Sequence, residues 1–239
     1  MKKLLLLLLL NLLLFAHDAP YRLKQFQEIL KKTKLQAPTS HYDPRWSTKY
    51  GKFQYVSNRY FYLQDNSYMT FAVCGLKNRS ELREREDWKV STKKKRVLTA
   101  ELYLFPLNSN KEFTFLQIHA DPNFQTDADE EKSINKPLLR ITWWKNLHRT
   151  KDHLWAVIRT SADAYEQKYV KIDLGKRKEK FTKFRISIQN STLKVFQDGE
   201  LKINMDVHYW DKQWNYFKAG VYMQDEGCAK VLFKKLEIQ

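Results

Sequence analysis

From Tyr50 onward the chain breaks into short runs rich in β-branched and aromatic residues, separated by polar turns. Alternate residues of a strand face the same side, so a half-buried strand carries apolar side chains at every second position. On that basis strands are expected at 59–63, 68–73, 79–84, 97–105, 113–119 and 138–144. The series continues at 155–160, 169–174, 183–189, 193–197, 216–223 and 231–238. Asp198-Gly199, between Val195-Phe196 and the run Leu201 to Ile203, is a strong hairpin signal, since tight hairpin turns need positive φ. Many short strands with little helix define an all-β fold, a sandwich or jelly roll of antiparallel sheets. Two stretches depart from the pattern. Residues 21–32 place Leu23, Phe26, Ile29 and Leu30 at helical spacing, which predicts one short amphipathic helix. Residues 121–136 are acidic, polar and long, as expected of a loop bordering a cleft.

The N-terminus has a different texture. Lys2 and Lys3 precede an apolar run from Leu4 to Phe15, interrupted only by Asn11 and followed by Ala16. The run is shorter than the roughly 20 residues a bilayer span requires, and its layout is that of a secretory leader cut after Ala16. The expected organisation is a leader over 1–16, a basic lead-in with the helix over 17–40, and one β-sandwich domain over 41–239. A secreted or periplasmic destination follows, with no stable membrane association after cleavage. Cys74 and Cys228 fit an oxidising compartment and are a possible disulfide pair, with two separate thiols as the alternative. No CxxC, HExxH or His-rich cluster asks for a metal, and no cofactor motif is present. The formal net charge of +16 calls for an anionic partner. Behind an export signal that partner is an extracellular polyanion such as an acidic polysaccharide. Nucleic acid is the poorer fit, since no recognisable binding motif accompanies the charge.

Period-2 geometry then gathers polar groups onto common faces. Arg79, Glu81 and Arg83 share one side of their strand. Gln117 and His119 share a side while Ile118 turns away. In the segment Tyr216 to Gln224 one face carries Tyr216, Lys218, Tyr222 and Gln224, and the other carries Phe217, Ala219, Val221 and Met223. A merely solvated face would carry mostly Lys, Glu, Thr and Ser. Arg, Gln, His and Tyr together suit a carboxylated sugar.

These three segments resemble the signatures of the family 7 polysaccharide lyases, the alginate lyases of β-jelly-roll fold. Arg79-Ser80-Glu81-Leu82-Arg83, Gln117-Ile118-His119 and Tyr216-Phe217-Lys218-Ala219-Gly220-Val221-Tyr222-Met223-Gln224 occur in the family's order. The likeness runs from about Leu35 to the end and takes in Pro137-Leu138-Leu139-Arg140 and the closing strand. Met223, where the family commonly has Asn, and the acidic 121–136 loop are departures that bear on subsite preference.

The resemblance implies a concanavalin-like jelly roll with a concave substrate groove, and an enzyme that cuts 4-linked uronate chains by β-elimination. That reaction needs the C6 carboxylate neutralised, the C5 proton removed and the leaving O4 protonated, with preorganised charge as its main aid. Arg79 or Arg83, with Gln117, are the expected carboxylate clamp, because a guanidinium fork matches a carboxylate. Glu81 is expected to hold both guanidinium groups. His119 is the expected base, since imidazole is largely neutral near pH 7, and Tyr222 the expected acid, or the base as well on mannuronate. Arg83, Glu81, Lys218, Tyr216, Gln224 and Arg140 are expected to bind substrate, and one of Trp143 and Trp144 faces the core while the other is free to stack on a sugar. Ile118 points, by the same resemblance, to acceptance of guluronate-containing blocks. The expected partner is alginate and the expected state a monomer. A glucuronan lyase with the same chemistry and a non-catalytic lectin-like module stand as alternatives.

Overall fold

In a computed structural model that describes residues 18–107 and 111–239, two antiparallel sheets pack face to face. The expected leader lies outside the described residues. One sheet contains β1 (Thr33–Gln36), β4 (Arg79–Glu84), β5 (Trp88–Lys89), β7 (Glu112–Ala120), β8 (Pro137–Leu147), β9 (Thr150–Arg159), β10 (Tyr169–Lys176) and β14 (Trp214–Met223). The other contains β2 (Phe61–Gln64), β3 (Tyr68–Cys74), β6 (Arg96–Pro106), β11 (Thr182–Gln189), β12 (Thr192–Gln197), β13 (Glu200–Asp206) and β15 (Cys228–Ile238). The first runs β1-β4-β14-β7-β8-β9-β10, with β5 on the end of β14, and the second β13-β12-β11-β6-β15-β3-β2. Strands distant in sequence are neighbours in both, as Greek-key connections of a jelly roll require.

Burial follows the pleat. In β6, Leu98, Ala100, Leu102 and Leu104 point inward while their neighbours are half-exposed. Phe115 of the first sheet meets Phe184 of the second at 5.5 Å between centroids, and Trp88 meets Phe217 at 4.9 Å. The central strands of the first sheet are buried on both faces, because the outward face of that sheet is itself walled by loops.

The N-terminal region corrects the expected boundary at residue 40. Thr33–Gln36 is an edge strand of the first sheet, with Lys34 opposite Arg83 and Gln36 opposite Glu81. The helix α1 (Lys24–Lys31) is shorter than expected because the 3-10 turn Pro20–Arg22 precedes it. Its Phe26, Ile29 and Leu30 enter the common core. Residues 18–107 and 111–239 therefore contribute to one sandwich.

Cys74 and Cys228 face each other across β3 and β15 and are joined as a disulfide. The bond closes a loop of 154 residues, and a long loop loses much chain entropy when cross-linked. Replacing both cysteines by serine is expected to lower the unfolding free energy by about 2–4 kcal/mol, read as an earlier urea midpoint with the strand signature intact.

Candidate active site

Register decides which side chains meet on the first sheet. Lys218 of β14 stands between Arg83 of β4 and Gln117 of β7, and Gln117 is opposite Arg140 of β8. One step along, Tyr222 lies between Arg79 and Thr114, and at the other end Tyr216 lies beside His119. Alternation along β7 alone would place Phe113 and Phe115 on the same side as Gln117 and His119. A bulge prevents this: the pairing of β7 with β8 shifts between Thr114 and Leu116, and that with β14 between Ala219 and Tyr222. Phe115 and Leu116 both turn to the core, and parity reverses, so Gln117 and His119 reach the outer face.

Gly220 has its own part in this packing. It pairs with Glu81, and a Cβ there would sit 2.2 Å from the Ser80 carbonyl oxygen and 2.7 Å from the Glu81 Cα. Its φ of +144° also disfavours a side chain. Only glycine lets β4 approach β14 this closely.

Glu81 is wholly buried. It accepts hydrogen bonds from Gln117 Nε2 and Lys218 Nζ, each at 2.5 Å, and Arg79 Nη1 lies 3.5 Å away. Lys218 is 1% exposed, and burial lowers its pKa to about 8, against the opposing pull of Glu81. These two were expected to touch substrate. They lie instead beneath the floor, where their charges orient Gln117 and Arg79.

The two arginines also divide. Arg83 donates to Tyr50 Oη, the Glu84 carbonyl, Asp87 and Asp121, so its guanidinium is spent on the protein rather than on Glu81. Arg79 lies over the Tyr222 ring at 4.7 Å, and its Nε has no hydrogen-bond partner.

His119 Nδ1 is 2.7 Å from the Ala120 carbonyl oxygen. Only a donor is favourable there, so the neutral ring carries its proton on Nδ1 and leaves Nε2 with a free lone pair. Burial, and then the charges of Lys218, Arg79 and Arg83, pull the imidazole pKa down to about 3 despite the Ala120 contact. Tyr216 stacks on the ring, with centroids 5.6 Å apart, and burial raises its own pKa. Its phenol therefore stays protonated.

These groups line an open groove with two connected basins. One, of about 450 Å³, is bounded by Arg79, Gln117, His119, Arg140, Tyr222 and Gln224. The other, of about 630 Å³, has Arg79, Arg83, His119 and Tyr216 on its floor. Arg79, His119 and Asn135 belong to both. Arg140 leans on Glu112 at 3.6 Å, and Gln224 accepts from Thr114. Trp143 is buried in the core, whereas Trp144 is on the outer face under Lys171 and is not part of either basin wall. Ile118 is buried in the core, so it can influence a sugar only through packing.

Several groove residues escaped the sequence reading. Lys34 and Gln36 come from the edge strand, Tyr50 from a loop, and Asp87 from the turn after β4. Burial raises the Asp87 pKa to about 7 against the pull of Arg83. The 121–136 loop supplies Phe124 and Asn135. It is pinned by Asp129, which accepts from Lys89 at 2.5 Å and from Trp214 Nε1 at 2.7 Å. No strand periodicity marks such positions. Among the described residues, no group of three or more His, Cys, Asp or Glu is arranged to hold a metal ion.

A jelly roll whose concave sheet sets a neutral imidazole, a phenol, an amide and unspent guanidinium donors in one groove defines a sandwich built to act on an acidic polysaccharide. The alginate lyase family model matches residues 29–239. An alginate lyase of Photobacterium sp. (strain ATCC 43367) is 30% identical over 257 aligned positions, covering 92% of this chain and 87% of the relative. The solved alginate lyase AlyC3 is 28% identical with a TM-score of 0.83 over 94% of this chain and 96% of its own, and has also been solved with dimannuronate. The fold is shared as well with alginate lyase A1-II', a member of polysaccharide lyase family 7, at 19% identity and a TM-score of 0.72, over 88% and 95% of the two chains. The chain belongs to the alginate lyase family.

The site geometry makes His119 sensitive to the buried lysine. Lys218→Met removes the cation that acts most strongly on the imidazole and leaves Glu81 short of a partner. NMR of the wild type should show no His119 titration near the ordinary value of about 6.5. The variant should move the His119 pKa upward and lose roughly 3–5 kcal/mol of stability, the usual penalty for breaking a buried ion pair.

Proposed function

We propose that this chain is a secreted enzyme that cleaves alginate by β-elimination, with Arg79, Gln117, His119 and Tyr222 as its reacting shell. The observation that carries this reading is the basin in which a neutral His119, with Nε2 available, shares one wall with Tyr222, Gln117 and Arg79. Arg79 and the Gln117 amide take the C6 carboxylate of the bound uronate and stabilise the enolate-like dianion that develops. Arg79 is favoured over Arg83 for this role because the Arg83 guanidinium is taken up by Tyr50, Asp87 and Asp121 while Arg79 makes only the longer contact to Glu81.

His119 Nε2 removes the C5 proton, the freed electron pair forms the C4–C5 double bond, and the C4–O4 bond breaks. Tyr222 gives its phenolic proton to the departing O4. On mannuronate, where the proton and leaving group are on the same side, Tyr222 serves as base before it serves as acid, with Arg79 standing over its ring. The substrate's own carboxylate counteracts the local cations and raises the basicity of His119 as it binds. Arg140 and Gln224 extend the binding surface beyond the reacting sugar. The apolar leader and the Cys74–Cys228 bond support an extracytoplasmic setting.

Purified protein incubated with mannuronate-rich alginate, guluronate-rich alginate and glucuronan should release unsaturated uronate ends from alginate, seen as rising ultraviolet absorbance. His119→Ala and Tyr222→Phe should each lower kcat by about 10²–10⁴-fold, the range for loss of a general acid or base. Binding of alginate with no rise in absorbance would sink the assignment.

A further inference from the structure

Beyond the groove, a third cavity of about 390 Å³ opens at one end of the sandwich, between the end of α1, the turn after β4 and the starts and ends of the second sheet's strands. Its wall includes Lys31, Lys32, Arg85, Lys94 and Arg96. Arg85 lies in this wall and in the wall of the larger groove basin, so the two spaces adjoin.

The charges here are unequally committed. Arg96 is buried and holds Glu84 at 2.6 Å and Glu86 at 2.9 Å, which accounts for both carboxylate side chains of the wall. Lys31 is paired with Glu28 at 2.7 Å. Lys32 donates only to the neutral Ile238 carbonyl at 3.2 Å. Among the described residues Lys94 and Arg85 make no direct ion pair, and Glu86, already held by Arg96, is the carboxylate that Lys94 and Lys32 feel at longer range. On the groove side of Arg85, Lys34 likewise makes no direct ion pair and feels Asp121 and Asp87, both held by Arg83, only at longer range. Lys34 and Arg85 stand over the Tyr50 ring at 4.9 and 5.3 Å. A line of cations without direct ion pairs therefore leads from Lys34 in the groove past Arg85 to Lys32 and Lys94.

Cations left without directly paired carboxylates along one path suit a ligand with regularly repeated negative charge. The groove crosses its sheet from Tyr169 on β10 to Lys34 on β1. Seven strands at about 4.8 Å give roughly 29 Å of floor, and a longer polymer must leave over an edge. We propose that Lys32, Arg85 and Lys94 form an outer binding track that holds a polyuronate chain where it leaves the groove over the β1 edge. This rests on the reading of the groove as the site of alginate cleavage. The track contributes affinity for polymer and none for oligosaccharides short enough to stay within the groove.

The test pairs Lys32→Ala/Lys94→Ala with the charge-retaining Lys32→Arg/Lys94→Arg. The alanine pair should raise KM for polymeric alginate about three- to tenfold, the size expected from losing two exposed ion pairs, and flatten its salt dependence. Its kcat, and its kcat/KM for an alginate trisaccharide, should match the wild type, and the arginine pair should behave as wild type throughout. A binding arm uses the full chain carrying His119→Ala, electrophoresed through a gel containing polymeric alginate. Retardation should weaken with the alanine pair and persist with the arginine pair. Equal retardation of both pairs and the parent, absence of retardation in the parent, or an equal KM change on polymer and trisaccharide would each overturn the track. Retardation that depends on Lys32 and Lys94 in a protein releasing no unsaturated ends would uphold the track and remove the lyase reading alone.

Discussion

A carboxylate with no exposure lies under the floor of the groove, and the site is arranged around satisfying it. An ionised group in a protein interior is tolerated only when charge and hydrogen bonds replace its lost water. Glu81 receives the amide of Gln117, the ammonium of Lys218 and the more distant guanidinium of Arg79. Each partner comes from a different strand or from a different turn of the pleat, so one buried charge ties β4, β14 and β7 together in a single register. The groups left facing the groove are thereby aimed before any ligand arrives, which is the condition for electrostatic help without reorganisation.

The same cluster sets the protonation of His119. Burial and the cations Lys218, Arg79 and Arg83 act together on His119, and all disfavour the imidazolium. The bond from Nδ1 to the Ala120 carbonyl assigns the tautomer. Arg83, by contrast, is consumed by Asp87, Asp121 and Tyr50. It braces the larger basin.

Close strand approach underlies both effects. Gly220 brings β14 onto β4, and the bulge near Phe115 turns β7 so that its polar pair faces outward. Without these two backbone features the same residues would be divided between core and groove. The loop at 121–136 then closes one side, held by Asp129 against Lys89 and Trp214, and its acidic character is partly spent in that attachment.

The amino-acid sequence by itself determined the all-β class, most of the strands, the hairpin at Asp198-Gly199 and the four side chains Arg79, Gln117, His119 and Tyr222 that line one basin. Alternation and turn chemistry are local, and the ordered family segments carry Arg79, Gln117, His119 and Tyr222 within them. Tertiary structure alone decided three other matters. It joined residues 33–36 to the sheet as an edge strand, because four residues with a mixed pattern acquire strand character only from a partner. It separated Arg79 from Arg83 and sank Glu81 and Lys218 below the floor, because depth depends on what packs above a strand. It brought Tyr50, Asp87 and Asn135 to the groove from loops, where no periodicity records direction and only the paths of neighbouring elements fix position.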